Sequence, residues 1–197
     1  MRARGCGDRL NSVCAVLCST EASQLLEFAV ALPLLVVLVV GIFDFGGAFN
    51  LKHQLGSAVR DGARFATTLS LDDVTLGTLP SSVNGAWQLV DSYLVRAEIN
   101  DCGLGTTVPV GSPTTYTWTS TANSSPCTGN LTLTIERAYM VHASGVNSVT
   151  TDVICTHVSI TYPFQWHFSK VIQLLAPGTT YGATIPVAAD AVMPNMN

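Results

Sequence analysis

An almost uninterrupted apolar run near the amino terminus constrains this chain more than any other feature. Residues 25–43 include one charged residue, Glu27, and residues 28–43 include none. At a rise of 1.5 Å per residue, a helix over residues 25–49 is about 37 Å long, enough to cross a hydrocarbon core of about 30 Å. The pattern predicts one membrane-spanning helix, bent where Pro33 removes a backbone hydrogen bond.

The charges around this run predict its orientation. Arg2, Arg4 and Arg9 precede it, and cytoplasmic flanks of membrane helices are enriched in Lys and Arg. We therefore expect a cytoplasmic amino terminus and an extracytoplasmic remainder. A cleaved signal peptide is the alternative, but the run exceeds the usual 7 to 15 or so apolar residues and no A-x-A-like site follows it. These two details favour a retained anchor.

A helical period continues beyond the apolar run. Nine positions recur at helical spacing as far as Ala66, with a single charged interruption. They are Phe45, Ala48, Phe49, Lys52, Leu55, Gly56, Val59, Ala63 and Ala66. We predict one helical stem over residues 23–68, half in the membrane and half lying against a soluble head of residues 69–197.

The head has the patterns of a small α+β domain. Residues 83–99 carry apolar side chains at helical spacing, which predicts a short amphipathic helix after a linker at residues 71–80. Alternating apolar and polar residues predict strands of an antiparallel sheet. These strands are expected at residues 131–136, 154–162 and 185–191.

The stretch at residues 105–129 is rich in Thr and Ser and contains three prolines. This composition predicts an irregular, exposed insertion in the head. Two interpretations of its aromatic residues, Tyr116 and Trp118, stay open: an exposed adhesive surface, or ordinary sheet aromatics.

Two segments together resemble a known family. Residues 25–46 read LLEFAVALPLLVVLVVGIFDFG, and residues 58–66 read AVRDGARFA. The combination closely resembles the TadE-like family, which are minor pilins or pseudopilins of the tight-adherence (Flp) branch of type IV pilus systems. The resemblance covers about a quarter of the chain and implies a pilin-like fold and a function in pilus assembly. The motif positions are Gly41, Asp44, Phe45, Gly46, Arg60, Asp61, Gly62, Ala63 and Arg64.

The resemblance also implies a processing site. In the family, a prepilin peptidase cuts on the cytoplasmic side so that a membrane glutamate becomes the fifth residue of the mature chain. The corresponding bond joins Ala22 to Ser23, where the family usually has Gly before the cut, and residues 1–22 would be a cytoplasmic leader. The new amine of Ser23 would pair inside the lipid with Glu27 of a neighbouring subunit. Phe28 and Pro33 belong to the same assembly segment.

The partners and location follow from this resemblance. They are other pilins bound through the stem, the prepilin peptidase, the pilus assembly platform of the bacterial inner membrane, and the lipid bilayer. Two rival functions stay open. One is a permanently anchored periplasmic binding or structural module that never enters a filament, and the other is an enzyme released from its leader.

Cysteine positions suggest one disulfide. Three cysteines precede the apolar run, where they would stay reduced, and three follow it, where disulfides persist. The first group is Cys6, Cys14 and Cys18, and the second is Cys102, Cys127 and Cys155. We favour a Cys102–Cys127 bridge, although sequence alone also allows Cys155 to pair with either residue.

Several classes of function have no support in the sequence. The net charge of −4 and the pI near 5.4 give no basic excess for nucleic-acid binding. No hydrolase, metalloprotease or nucleotide-binding motif is present. The spacing of the first three cysteines, and the scattered His142, His157 and His167, do not match a metal site. We expect no catalytic activity, no cofactor and no metal.

Overall fold

The chain divides into two compact units. Residues 1–44 with 167–180 form the first, and residues 45–166 with 181–197 form the second, which we call the globular unit. The structure is a computed structural model that describes residues 20–74, 78–112, 114–144, 150–166, 178 and 184–196. The sequence-based limits of leader, stem and head stay predictions.

A single long helix, α1 (Thr20–Thr67), forms the stem over 48 residues. Pro33 lies inside it without ending it. Near its carboxyl end, the Thr67 hydroxyl donates to the Arg64 carbonyl at 2.9 Å and the Thr68 hydroxyl donates to the Phe65 carbonyl at 2.7 Å. The Phe65 carbonyl also accepts the Thr68 N–H at 3.1 Å, so the last backbone oxygens of the helix are satisfied locally. The helix predicted for the stem is continuous over Thr20–Thr67.

The second helix, α2 (Ser81–Arg96), is the predicted amphipathic helix. Its buried apolar residues recur at spacings of three and four. They are Val83, Ala86, Trp87, Val90 and Leu94. The segment before it is more ordered than a plain linker, because Leu71–Asp73 forms a 3₁₀ turn and an Asp73 carboxylate oxygen accepts the Ser82 N–H at 2.7 Å. That bond caps an otherwise unpaired N–H at the start of α2.

Five antiparallel strands form one sheet in the order β1-β2-β3-β4-β5. The strands are β1 (Val110–Ser112), β2 (Thr117–Ala122), β3 (Leu131–Ser144), β4 (Thr150–Gln165) and β5 (Thr184–Pro194). Neighbouring strands are consecutive in the sequence, so every described connection runs between adjacent strands. The α+β class and the antiparallel sheet predicted from the sequence are confirmed.

One face of the sheet is buried. Ile135 lies opposite Val158, which lies opposite Ala191, and all three side chains are at most 8% exposed. These inward residues join one apolar core with α2 and the second half of α1. Alternation in β3 up to Ile135 and in β4 at Val158 and Ile160 therefore reports the buried face correctly, as expected for a sheet covered on one side. At the start of the predicted β4 set it was wrong, because Ile154 is 44% exposed and Cys155 is buried.

The prediction of an irregular, exposed insertion at residues 105–129 was wrong. Strands β1 and β2 lie in this stretch, and β2 pairs with β3 over six residues. Trp118 is 5% exposed and belongs to the core, so it is a sheet aromatic, whereas Tyr116 lies in the preceding turn and is 43% exposed. Thr is favoured on the solvent face of a strand as well as in loops, so a segment rich in Thr and Ser can be either.

The inward face of α1 also differs from the predicted period. Leu55, Val59 and Ala63 are fully buried, but Phe45 is 60% and Phe49 is 71% exposed. The period includes these two aromatic residues on the packed face, but most of the surface of each stays exposed. Helical spacing alone could not show where along the helix the packing against the globular unit begins.

A disulfide joins Cys102 to Cys127, with Cα atoms 5.6 Å apart. It links the segment after α2 to the loop after β2, where the Ser124 N–H also donates to the Cys102 carbonyl at 2.8 Å. Cys155 is a buried free thiol, and burial raises its pKa. Cys6, Cys14, Cys18 and His167 lie outside the described residues.

Candidate assembly surface

The first half of α1 exposes its large apolar side chains. Within residues 25–43, Leu25 is 71%, Leu34 is 74% and Phe43 is 75% exposed. The most apolar window has a mean hydropathy of 2.7, and none of it is buried by the residues that the structure describes. By length and composition the helix can cross a membrane. A surface of this kind is stable in lipid or against other apolar helices, and not in water.

The residues expected to act in assembly lie at the start of this surface. Ala22 and Ser23 are in the first turn of α1. Glu27 is exposed one turn later, and the adjacent Phe28 is 63% exposed. Pro33 is also exposed, so no packing within the described chain explains its position.

The motif at residues 41–46 mixes open and buried positions. Among the described residues, an added Cβ at Gly41 or Gly46 would meet no atom within 4 Å, so neither glycine is needed for packing in that part of the chain. Phe45 is exposed, whereas the Asp44 side chain is 5% exposed. The two glycines leave the helix backbone accessible from outside.

The second motif, at residues 60–64, packs α1 against α2. A Cβ at Gly62 would come within 2.8 Å of Val90 Cγ2, closer than real Cβ contacts. On the other helix, a Cβ at Gly85 would overlap the Phe65 ring. Each helix therefore has a glycine beneath a side chain of the other, and Ala63 beside them is fully buried. This part of the motif has a structural role in helix packing.

The charged residues of the same motif face outwards. Arg60, Asp61 and Arg64 are exposed. Asp61 and Arg64 line a surface cavity of about 360 Å³ between α1 and α2. Its other lining residues are Phe65, Thr68, Leu89, Ser92, Tyr93 and Arg96. Two guanidinium groups and one carboxylate thus share an open surface cavity.

Arg137, which was not predicted from the sequence, holds the carboxyl end of α1. Its side chain is fully buried. Nη1 donates to the Ala66 carbonyl at 2.6 Å, and Nη2 donates to the Leu69 carbonyl at 2.8 Å. A cation placed on the unpaired carbonyls of a helix end is favoured both by hydrogen bonding and by the helix dipole.

A network of polar groups supports this guanidinium. Nη1 also donates to the Thr156 hydroxyl at 2.8 Å, and that hydroxyl donates to the Asn195 side-chain oxygen at 2.6 Å. Asn195 Nδ2 returns a bond to the Arg137 carbonyl at 3.1 Å. Burial lowers the pKa of Arg137, and the charge of Asp73 opposes this effect. The network connects α1, β3, β4 and the segment after β5.

A signal for Arg137 was present in the sequence. The inward residues of β3 are Leu131, Leu133 and Ile135, and Arg137 is the next position at a spacing of two. A charged residue in register with a buried face indicates a buried polar contact. A register shift between Glu136 and Tyr139 follows at once, so the alternation could not be extended to the rest of the strand.

Two histidines of the described sheet lie beside carboxylates. His157 lies on the sheet surface, 3.8 Å from Glu136 and 3.7 Å from Asp190. His142 contacts Asp152 at 2.6 Å on an exposed part of the sheet. In the part of the chain that the structure describes, no three His, Cys, Asp or Glu side chains are placed to hold a metal ion.

The fold and this surface together define a class of protein. A long helix with an exposed apolar half, followed by a helix and a five-stranded antiparallel sheet, is consistent with a pilin-like α+β fold. The family model of TadE-like proteins matches residues 22–64, so this segment is TadE-like, as its motifs indicated. No curated protein and no solved structure matches the chain.

Proposed function

We propose that this protein is a membrane-anchored minor pseudopilin that takes part in the assembly of a tight-adherence (Flp) pilus and has no catalytic activity. One observation carries the proposal: the TadE-like segment coincides with a helix whose apolar first half is uncovered. A globular protein with no membrane or filament partner would not leave such a surface in water.

The apolar stem supplies the mechanism of assembly. In the bilayer its side chains contact lipid, and in a filament they contact the stems of other pilins. Both environments are apolar, so transfer between them requires no net exposure of apolar area to water. Close packing then depends on shape, and the open backbone at Gly41 and Gly46 would let a second helix approach.

Glu27 would direct this transfer. A carboxylate at membrane depth costs about 2.5 to 3.5 kcal/mol on insertion scales. Cleavage between Ala22 and Ser23 would create an ammonium group on Ser23, and its pairing with Glu27 of a neighbouring subunit would neutralise both charges in the lipid. The proposal therefore joins processing by the prepilin peptidase to selection of a partner.

The location in the proposal rests on charge and on sulfur chemistry. Arg2, Arg4 and Arg9 favour a cytoplasmic amino terminus in the bacterial inner membrane. The globular unit would then be extracytoplasmic, where the Cys102–Cys127 disulfide is stable. There it would serve as a spacer or adhesive unit, with the assembly platform acting on the membrane side.

Amino-terminal processing tests the proposal. The full chain is expressed with and without a prepilin peptidase of a tight-adherence system, extracted from membranes, and characterised by intact mass and amino-terminal sequencing. We expect a new terminus at Ser23 only with the peptidase. An Ala22→Gly variant is the matched control, because it restores the residue usual in the family and should be cut at least as well.

The second candidate is a permanently anchored periplasmic module, and Ala22 favours it. If the wild-type chain keeps Met1 under both conditions while the Ala22→Gly variant is cut, the chain has the stem but is not processed. That outcome would contradict the pseudopilin proposal and support the static module.

A further inference from the structure

Three aromatic rings cluster where the apolar run ends. The Phe45 ring lies edge-on to Trp166 with centroids 5.2 Å apart, and Phe164 lies edge-on to the same indole at 5.4 Å. Trp166 is thereby held between α1 and the end of β4. Phe164 packs against the core, whereas Phe45 is 60% exposed, so one side of this cluster is open to its surroundings.

The cluster continues along one face of α1. Phe45, Phe49 and Lys52 follow spacings of four and three, so they share a helix face. Phe49 is 71% exposed and Lys52 is exposed beside it. We name Phe45, Phe49, Lys52 and Trp166 the collar.

The collar borders a shallow apolar groove of about 270 Å³. Ala48 on α1 and Pro186, Val187 and Ala188 on β5 line the rest of it. Lys52 is the one cation among these lining residues. The chemistry is therefore an apolar surface with a single ammonium group.

The depth of the collar follows from helix geometry. The 19 residues at 25–43 give about 28 Å of helix, close to the hydrocarbon thickness of about 30 Å. Phe45 then lies at the hydrocarbon boundary, and Lys52 lies about 10 Å further along the axis. The headgroup region on each side of a bilayer is about 5 to 8 Å thick. Phe45 therefore falls within the headgroup layer, Phe49 lies at its outer edge, and the Lys52 backbone lies about 5 Å beyond it. Because helical side chains lean toward the amino terminus, the Lys52 ammonium reaches back toward the phosphates.

A phospholipid or a helix of a second subunit could cover this apolar face, and the residues of the collar favour the phospholipid. Trp166 Nε1 is buried, so the indole offers apolar ring surface and not a donor to the headgroups. Tryptophan is enriched at membrane interfaces, and a Lys side chain reaches the phosphates. A helix of a second subunit would match the apolar residues, but it gives no reason for a cation at this depth.

We propose that the collar is a phospholipid-binding surface that seats the globular unit in the headgroup layer before assembly. Phospholipid glycerol and upper acyl groups occupy the groove, and a lipid phosphate pairs with Lys52. The collar rests on the proposed membrane anchor and adds a second, interfacial contact to it. In this state the globular unit is held against the bilayer.

Quenching of tryptophan fluorescence by brominated lipids tests this proposal on the full chain. One copy is placed in each phosphatidylcholine nanodisc, with bromine near the headgroup end of the acyl chains or near the bilayer centre. The chain has three tryptophans, and Trp87 and Trp118 are at most 8% exposed within the globular unit. We expect headgroup-side bromine to quench up to about one third of the emission, and central bromine to quench less.

Variants assign the signal to the collar. Trp166→Phe should abolish the quenched fraction, and Trp118→Phe should leave its absolute size unchanged. Phe49→Ser should lower it at least twofold, whereas Val110→Ser, at a position 78% exposed on β1, should not change it. Circular dichroism of each variant checks that it is folded.

The outcomes separate the anchor from the collar. Resistance to carbonate extraction from liposomes reports insertion of α1 on its own. Insertion without quenching of Trp166 would overturn the collar and leave the anchor intact. Loss of insertion would overturn both. If single-copy discs show no quenching, a change in Trp166 emission that appears only with several copies per disc would assign the face to subunit contacts and overturn the lipid assignment.

Discussion

The guanidinium of Arg137 donates a 2.6 Å hydrogen bond from Nη1 to the carbonyl oxygen of Ala66, 71 residues earlier in the chain. The contact joins the middle strand of the sheet to the end of the stem helix. It is buried, charge-assisted and shared with Thr156, so it fixes where α1 ends relative to the sheet.

Replacing Arg137 should destabilise the globular unit more than any surface change. Arg137→Met keeps the length of the side chain but leaves the carbonyls of Ala66 and Leu69 without their donor. Buried groups left unpaired cost about 1 to 3 kcal/mol each, so we expect a loss of about 2 to 4 kcal/mol. Urea unfolding of the detergent-solubilised protein measures it. Arg96→Met, at an exposed position, is the control and should change stability by less than about 0.5 kcal/mol.

Adding a methyl group at Gly62 should lower the stability of the globular unit. Gly62→Ala places a Cβ 2.8 Å from Val90 Cγ2, and overpacking of this kind costs about 1 to 3 kcal/mol. Gly56→Ala is the matched control on the same helix, because a Cβ there meets nothing within 4 Å. It should stabilise by up to about 1 kcal/mol through helix propensity. A double variant with Val90→Ala should recover part of the Gly62→Ala loss, and strictly additive effects would contradict this packing.

Asp91 should make stability depend on pH. Burial, and secondarily the charge of Asp101, raise its pKa above the ordinary value. The folded state therefore holds the proton more tightly than the unfolded state, and stability falls as pH rises above about 4 through the folded-state pKa. Asp91→Asn removes this titration. Thermal unfolding from acid to neutral pH should show a smaller decline for the variant, and parallel profiles would refute the assignment.

The disulfide should contribute measurably to stability. Cys102 and Cys127 are separated by 25 positions, and a loop of this length is expected to stabilise by about 3 kcal/mol. A Cys102→Ser, Cys127→Ser double variant should lose about that amount in denaturant unfolding.

In the native wild-type protein, alkylation should leave Cys155 unmodified because the thiol is buried and its pKa is raised. Rapid labelling of Cys155 would show that this part of the core opens.

Glu27 should be required for assembly and not for insertion. Glu27→Gln keeps the size of the side chain but removes the charge that would pair with a processed amine. A lost pairing of about 1.4 kcal/mol lowers association tenfold, so we expect at least about a tenfold drop in co-purification with other pilins. Glu27→Asp is the control that keeps the carboxylate. Equal co-purification of the Gln variant and the wild type would remove this role for Glu27.

The sequence predicted those parts of the structure that depend on local periodicity. The apolar run, the helical spacing of α2 and the alternation in β3, β4 and β5 each report a repeating contact with one environment, so they could be read without coordinates. Strand β2 was not predicted because its outward residues are all threonine, which is also common in loops. These residues are Thr117, Thr119 and Thr121. The pairing of β2 with β3 joins two separate segments, so the composition of one segment cannot predict it.

For the candidate assembly surface too, some features were predicted from the sequence and others are seen only in the tertiary structure. Sequence motifs alone placed Glu27, Pro33 and the TadE-like segment on an apolar helix, because a run of side chains with one polarity determines which solvent that helix prefers. Only the tertiary structure decided that Gly62 lies beneath Val90, that Arg137 binds the end of α1, and that Trp166 meets Phe45. These contacts join residues far apart in the chain, and their energies depend on distances of a few ångströms that no spacing within a single segment can specify.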